Sequence, residues 1–452
     1  MRRPIFTAAL AFAALLTASS TRAQTSYVDD ILPILKRSCQ GCHNPAEPAG
    51  ELSVVSHADL LKGGKSGPAV KPGNPDESLL YTLVIGDEPA MPMGGDPLPP
   101  EETDLLKRWI LDGAKDDALP PEEQPVFEPP VYTAAPVITA LAYAPDGETV
   151  AVSGFSETLI LSADGAKRIH RLVGEARRIE SISYSEEGDV LCVGAGSPAR
   201  FGQAQLWDPK TGRLIRAIKS TYDTIYSAVL SPDGKSVAFG CADKTARIVS
   251  AADGAELLKF ENHSDWVFGA MFSRDGTHLV TGGRDGALKL VNVELGQFID
   301  DINASNKGYG GINAIAPHPG ADQVLSGGID RTPRLYRIYR ERRRDVGNTD
   351  FNLVRAYEAQ AGSIKALAFD KEGKIFAVGS AGGEVRVYET AAGKRLAQFQ
   401  GDSAAVFALA FRPESEELAV GGFDGLIRVF NPKTGETVRE FSPFPIENGA
   451  EK

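Results

Sequence analysis

Alternating apolar and polar residues recur along the last two thirds of the chain, and each run leads into a turn rich in Asp and Gly. Within each repeat the pattern predicts four strands separated by turns. A period of this length is typical of blades, and we expect seven of them over residues 137–445, in a ring that hides the sheet edges. The turns lie at residues 143–147, 184–188, 230–234, 272–276, 316–320, 369–373 and 411–414, mostly 41 to 46 residues apart with one interval of 53.

Residues 24–114 have a different pattern, in which apolar residues recur at helical spacing. A short helix is predicted over 29–37, and a second begins near Pro99 and ends near Gly113. We therefore expect a small all-α domain in which two helices pack together. Their apolar faces consist of Ile31, Ile34 and Leu35 in the first helix and Leu105, Leu106, Trp109 and Ile110 in the second.

Three further segments look like targeting or connecting sequence. Arginines, an apolar run and a small-x-small site predict a secretory signal peptide at residues 1–23. Paired prolines and acidic residues predict an extended, semi-rigid linker at 115–136. A disordered tail is predicted at 446–452. No other stretch approaches the roughly 20 apolar residues that a transmembrane helix requires. We expect an exported, soluble protein, most simply periplasmic.

The net charge of −12 argues against nucleic-acid binding, because neutralising phosphates requires clustered Lys and Arg. One basic segment stands out from this acidic background, and it predicts either a solvated hairpin extension or a protrusion that docks an acidic partner. It contains Arg334, Arg337, Arg340, Arg342, Arg343 and Arg344, interleaved with Tyr336 and Tyr339.

The most specific motif is Cys39-Gln40-Gly41-Cys42-His43, the spacing for covalent attachment of one c-type haem. Each thiol can form a thioether with a haem vinyl group, and His43 can bind the iron as the proximal ligand. A zinc site would need a second pair of soft ligands nearby, whereas the other cysteines, Cys192 and Cys241, lie far downstream. Thioredoxin-like chemistry would need a βαβ setting, which the helical segment before Cys39 does not provide.

A second axial ligand distinguishes an electron-carrying haem from a binding or catalytic haem, in which one iron position stays open. Met91 is the first candidate because prolines restrict the loop that presents it, and Met93 is the alternative. Either methionine can instead fill an apolar gap. His57 and an open position complete the possibilities, and we expect His57 to be an exposed residue.

Several short stretches together resemble the planctomycete-type cytochrome c domain. The resemblance covers the mature segment up to Ala114 and implies a small, class I-like all-α cytochrome fold. It also implies that Met91, in a Met-Pro sequence, is the distal haem ligand. The stretches are 39–43, 63–68, 72–75, 78–81, 91–92 and 105–114.

The repeats resemble WD40 repeats, whose namesake dipeptide is present at Trp207-Asp208. The resemblance implies that the turn aspartates form hydrogen bonds that stabilise the blades, and that His263 is the hydrogen-bond partner of Asp285. A rival hypothesis makes His263, His278 or His318 a ligand of a second cofactor. The turn aspartates are Asp243, Asp285, Asp330 and Asp424.

These observations predict an exported mono-haem cytochrome that transfers single electrons, with its propeller as a docking scaffold for a redox partner protein. Docking would use the propeller or the basic segment 334–344. An enzyme is the less favoured alternative: a periplasmic oxidoreductase whose propeller holds the active site and receives electrons from the haem. A third hypothesis is a haem-based redox or gas sensor with an open distal position.

Overall fold

The computed structural model describes residues 25–40, 42–43, 49–54, 57–116, 127–304, 308–340, 350–400 and 404–446. The predicted signal peptide, the middle of the predicted linker, Arg342 to Arg344 and nearly all of the predicted tail lie outside these residues. The chain forms two compact units, one within residues 1–121 and the other within 122–452. No helix among the described residues combines the length and apolar character needed to cross a bilayer.

The N-terminal unit is built from short helices, as its sequence predicts. A π-helical turn, Tyr27–Ile31, leads into α1 (Leu32–Ser38), so the first helix begins earlier than predicted and changes its winding at Ile31. The remaining helices are α2 (His57–Lys62), α3 (Leu79–Thr82) and α4 (Pro100–Leu111), with 3₁₀ turns at Ala49–Glu51 and Pro75–Glu77.

One apolar cluster holds this unit together. Ile31 and Leu35 from the first helix pack in it with Leu106, Trp109 and Ile110 from α4, and all five side chains are almost fully buried. Burying side chains of this size contributes roughly 1.5–3 kcal/mol each. Both helical faces predicted from the sequence therefore meet in the core.

The C-terminal unit consists of antiparallel sheets, with seven strands in the first and four in each of the others. The strands of the first sheet are β1 (Leu141–Tyr143), β2 (Thr149–Ser153), β3 (Phe155–Ser162), β4 (Arg168–Tyr184), β5 (Leu191–Ser197), β6 (Phe201–Asp208) and β7 (Arg213–Thr221). The next two sheets contain β8 (Ile225–Leu230), β9 (Ser236–Cys241), β10 (Ala246–Ser250), β11 (Glu256–Phe260), then β12 (Val267–Phe272), β13 (His278–Gly283), β14 (Leu288–Asn292) and β15 (Phe298–Asp301).

Three more sheets follow the same order along the chain. Their strands are β16 (Ile312–Pro317), β17 (Gln323–Gly328), β18 (Arg334–Arg337) and β19 (Leu353–Ala356), then β20 (Ile364–Phe369), β21 (Ile375–Ser380), β22 (Glu384–Glu389) and β23 (Arg395–Gln400), and finally β24 (Val406–Phe411), β25 (Leu418–Gly422), β26 (Ile427–Phe430) and β27 (Thr437–Phe441).

The seven-stranded sheet consists of two four-stranded halves that share β4. The first half of β4 pairs with β3, and its second half, from Arg178 onward, pairs with β5. The repeat pattern predicts separate strands here, whereas the structure joins them into one continuous strand.

The first strands of the successive four-stranded units contact one another in sequence order, and β24 also contacts β1. In most of these strands one residue drops out of the pairing register, which forms a β-bulge that increases the local twist. The bulge lies near the beginning of the strand except in the long strand β4. The bulged positions are Glu180, Tyr226, Phe268, Asn313, Lys365 and Phe407.

The first and last sheets are joined by hydrogen bonds as well as by apolar packing. The Ile138 amide donates to the carbonyl of Gly422 over 2.9 Å. The Arg412 Nε donates to the carbonyl of Gly147 over 2.8 Å, and the Arg439 guanidinium donates to that of Ala163 over 3.0 Å. A buried cluster contains residues from both β1–β3 and β24–β26.

Cys192 and Cys241 are free thiols buried in one apolar cluster between neighbouring sheets. Burial raises the pKa of Cys192 to about 12, against the opposing effect of a hydrogen bond with Ser183. Both cysteines therefore act as small core residues.

Candidate functional site

The motif Cys39 to His43 forms a turn at the end of α1. The amides of Cys42 and His43 both donate to the carbonyl of Cys39, over 3.2 and 3.0 Å, while the Cys39 amide donates to Leu35. The end of α1 therefore fixes the position of Cys39, and the turn brings the backbones of Cys42 and His43 close to it. Gly41, inside the turn, lies outside the described residues.

The two cysteines differ in their surroundings, although both are free thiols. Cys39 is half-buried against the apolar core of the unit, and Cys42 is exposed. Burial raises the pKa of Cys39 to about 11, in spite of the nearby positive charge of Arg37. The Cys39 thiol is thus kept protonated at neutral pH and held next to apolar side chains.

His43 is oriented by a backbone carbonyl. Its Nδ1 lies 2.9 Å from the carbonyl oxygen of Ala49. Because a carbonyl only accepts, Nδ1 carries the hydrogen, and Nε2 of the neutral ring keeps its lone pair. Two backbone bonds brace the same loop, from the Ala49 amide to Cys42 and from the Val54 amide to His43. A hydrogen bond at one ring nitrogen, like that between His43 Nδ1 and Ala49, is typical of histidines whose other nitrogen binds a metal.

Met91 and Met93 lie in different environments. Met91 is half-buried and packs against the same apolar cluster as Cys39, and its amide donates to the carbonyl of Leu83 over 2.9 Å. Met93 is 81% exposed. The side chain of Leu83, whose carbonyl accepts the bond from the Met91 amide, is 36% exposed. The structure thus places Met91, and not Met93, against the cluster that also contacts Cys39.

These donors suit a covalently held haem. Two free thiols match two thioether bonds, and the oriented Nε2 of His43 matches a proximal ligand. The thioether of Met91 is a soft donor that can complete a His/Met pair, which raises the reduction potential relative to two histidines. The partly exposed side chain of Leu83, whose backbone is bonded to Met91, provides apolar surface suited to a porphyrin ring.

The expectation that His57 is exposed is wrong. Its ring packs edge-on against Tyr27 and Trp109, with centroids 5.0 and 5.9 Å away. Its Nε2 lies 2.7 Å from the carbonyl of Ala114, which follows α4. The α4 end is therefore held by His57, whose Nε2 is engaged in this bond and not turned toward a metal.

In the C-terminal unit, His263 and Asp285 form the pair expected from the repeat resemblance. His263 Nδ1 lies 2.9 Å from a carboxylate oxygen of Asp285, and its Nε2 lies 2.7 Å from the hydroxyl of Thr281. The same carboxylate accepts the amides of Ser264 and Ala287. Both ring nitrogens are thus engaged within the sheet, which confirms a structural role.

The other turn aspartates each pair with an arginine four residues later. The pairs are Asp243 with Arg247, Asp330 with Arg334 and Asp424 with Arg428, at 2.6 to 2.8 Å. This Asp-x-x-x-Arg spacing is present in the sequence, although the pairs were not predicted from it.

Arg334 therefore does not belong to a basic protrusion. Besides Asp330, it contacts the ring of Tyr309, whose centroid lies 3.7 Å away. Arg340 is paired with Asp300. Both arginines are engaged within the sheet unit, since opposite charges and an aromatic face lie directly beside them.

His278 and His318 are used locally. The Nδ1 of His278 lies 2.7 Å from the hydroxyl of Thr277, and the Nδ1 of His318 accepts the amide of Gly320. Burial lowers the pKa of His318, against the opposing effect of the Gly373 backbone. Across the described ranges, no three side chains of His, Cys, Asp or Glu group together in a way that could hold a metal ion.

Three segments match known family models. Residues 39–102 match the planctomycete cytochrome C family, and residues 212–250 match the WD domain, G-beta repeat. Residues 268–448 match the N-terminal domain of nucleolar protein 10-like proteins, a β-propeller model. Both resemblances stated from the sequence are confirmed: the chain combines a planctomycete cytochrome C segment with WD repeats.

Several curated relatives are WD repeat proteins. WD repeat-containing protein 1 is 27% identical over 225 residues in Xenopus tropicalis and 33% identical over 214 residues in Rattus norvegicus, covering 46% of this chain and 35% of each relative. The periodic tryptophan protein 2 homolog of Dictyostelium discoideum is 24% identical over 221 residues, which is 48% of this chain and 22% of the relative. The chain thus spans about a third or less of these relatives.

Proposed function

We propose that this protein is an exported c-type cytochrome with one covalent haem, which transfers single electrons while its repeat unit docks the redox partner. The observation that carries the proposal is the orientation of His43, whose Nδ1 bond to Ala49 leaves Nε2 available beside two free thiols. The family match at residues 39–102 supports it.

Each residue of the site has a defined role in this proposal. Cys39 and Cys42 anchor the group through thioethers, His43 is the proximal ligand and Met91 is the distal ligand. The bound haem supplies one-electron exchange at iron. The polypeptide fixes the ligands, and its apolar cluster keeps water from the side that Cys39 and Met91 contact.

We assign the repeat unit to a closed propeller of seven blades, the first two of which share β4. Support comes from the four-stranded pattern of the sheets and from the contacts between the first and last sheets. A rigid ring of this kind suits a docking scaffold, because blades that bury their faces on one another keep their exposed loops in fixed positions. The export assignment is supported by the predicted signal peptide.

A potentiometric titration of the full chain tests the proposal. The protein would be produced with its signal peptide in a host that attaches c-type haem. We expect one haem per chain and a single reversible transition with a one-electron slope. A haem-free product, or a haem that does not cycle reversibly between two oxidation states, would overturn the assignment.

A further inference from the structure

A large cavity lies within the repeat unit, where the first and last sheets meet. Its volume is about 710 Å³, within the range of roughly 300–1,000 Å³ typical of small-molecule sites. Two of the bulged residues, Glu180 and Phe407, line it together with Thr139. The β-bulges that disturb the strand pairing thus present side chains to this cavity.

The cavity wall is mainly apolar and includes three phenylalanines. Phe155, Phe407 and Phe423 line it together with Val131. Three of these side chains are unusually exposed for their size, at 50% for Phe155, 65% for Phe423 and 67% for Val131. Large apolar side chains that converge on one concavity while open to solvent are typical of a binding site.

One positive charge at the rim is unbalanced. Arg178 and Glu180 both line the cavity and pair with each other over 2.9 Å, so their charges offset. Arg177 also lines the cavity and is exposed, and it forms no ion pair with any described residue. An apolar cavity with one uncompensated guanidinium favours an apolar ligand that carries a single negative charge.

A buried charge pair keeps one wall of this cavity in place. The Glu157 side chain is fully buried, accepts two hydrogen bonds from Arg171 and accepts the hydroxyl of Tyr132 over 2.8 Å. Arg171 also donates to the carbonyl of Pro130 over 2.9 Å. Pro130 and Tyr132 both line the cavity, so the segment that forms this wall is fixed before any ligand arrives.

We propose that this cavity binds a small carboxylate with an aromatic or branched apolar body. The carboxylate pairs with Arg177, and the apolar body lies among Phe155, Phe407 and Phe423. All lining residues belong to the C-terminal unit, so this proposal does not depend on haem attachment.

Equilibrium dialysis of the full chain with 2-naphthoate and 2-naphthamide tests the proposal, because the two probes differ only in the charged group. We expect 2-naphthoate to bind one per chain and 2-naphthamide to bind about tenfold more weakly, as expected for loss of one charged hydrogen bond. Arg177→Gln should weaken naphthoate binding about tenfold and leave naphthamide unchanged, whereas Phe423→Ser should weaken both.

Matched controls come from the same unit. Arg168 is an exposed arginine on the same strand as Arg177, β4. The exposed fraction of Leu295, 62%, is similar to the 65% of Phe423, and Leu295 does not line the cavity. Arg168→Gln and Leu295→Ser should bind both probes as the wild type does. Equal affinity for the two probes, equal effects of Arg177→Gln and Arg168→Gln, or no saturable naphthoate binding at millimolar concentration would overturn the proposal. Saturable binding of an acetyl-leucyl-phenylalanine amide without naphthoate binding would also overturn it and assign the cavity to polypeptide.

Discussion

The Nδ1 of His43 donates to the carbonyl oxygen of Ala49 over 2.9 Å, so the histidine of the Cys-x-x-Cys-His motif presents Nε2 as its free nitrogen. A proximal haem ligand needs this arrangement, because the metal takes the lone pair of one nitrogen while the other holds the ring in place. The backbone of the loop therefore orients the His43 ring as the proposed ligand role requires.

Replacing His43 tests its role as an iron ligand. In His43→Ala we expect the haem to remain attached through Cys39 and Cys42, while the visible spectrum changes from low-spin to high-spin. Added imidazole should restore the low-spin spectrum, because it supplies the missing nitrogen. A purely structural histidine would not be rescued in this way, and an unchanged spectrum in His43→Ala would contradict the assignment.

Met91 and Met93 provide a matched pair of variants two residues apart. We expect Met91→Ala to abolish the methionine-to-iron charge-transfer band and to lower the reduction potential, because a soft axial thioether favours the reduced iron. Met93→Ala should retain both properties, since its side chain is 81% exposed. Loss of the band in Met93→Ala alone would identify Met93 as the ligand.

Glu417 connects the two arginines that join the last sheet to the first. It pairs with Arg412 over 3.2 Å and with Arg439 over 2.5 Å, and these arginines donate to Gly147 and Ala163. Hydrogen bonds from Arg439, opposed by burial and assisted by Arg412, hold the pKa of Glu417 below its ordinary value. The stability that Glu417 contributes is therefore present above its ordinary pKa in the unfolded chain and is lost as the pH falls through the lowered value.

Glu417→Gln should lower the free energy of unfolding by about 1–3 kcal/mol at pH 7. As the pH falls below about 4, the difference from wild type should shrink. Chemical denaturation of the C-terminal unit at several pH values, followed by far-ultraviolet circular dichroism, measures both effects. Glu416→Gln is the matched control, because Glu416 is exposed and its partners, Lys433 and Asn431, belong to the same sheet as Glu416 and do not join it to the first sheet. An equal loss of stability in both variants would contradict a joining role for Glu417.

Arg334 provides a test of whether the basic segment is structural or free for docking. Its guanidinium pairs with Asp330 over 2.6 Å and contacts Tyr309, and its side chain is 13% exposed. We expect Arg334→Ala to cost about 1–3 kcal/mol and to show a coupling energy with Asp330→Ala of at least about 0.5 kcal/mol in a double-mutant cycle. If Arg334→Ala costs no more than Arg168→Ala, the pair is not structural.

Sequence periodicity predicted the helices and strands because apolar side chains must face a core at spacings that each element fixes. The structural role of Asp243, Asp330 and Asp424 was predictable for a related reason, since their hydrogen-bond partners lie within four residues along the chain. Arg334 was wrongly predicted to belong to a basic surface segment, because its charge was considered without its spacing from Asp330. The same four-residue spacing joins Asp243 to Arg247 and Asp424 to Arg428.

Other features depend on contacts between segments distant in the sequence. His57 lies against Ala114, 57 positions later, and no local pattern indicates that bond. The cavity beside Phe423 depends on the meeting of the first and last sheets, which are far apart along the chain. Such features arise from tertiary packing and require the structure.

The central claim is that haem is covalently attached through Cys39 and Cys42. Intact mass measurement of denatured protein, matured in a host that attaches c-type haem, tests it most directly, with Cys192→Ala as the cysteine control. We predict the mass of the processed chain plus one haem for the wild type and for Cys192→Ala, and the bare chain mass for the Cys39→Ala/Cys42→Ala double variant. A bare chain mass for the wild type, in a host that attaches haem to a known c-type cytochrome, would contradict the account.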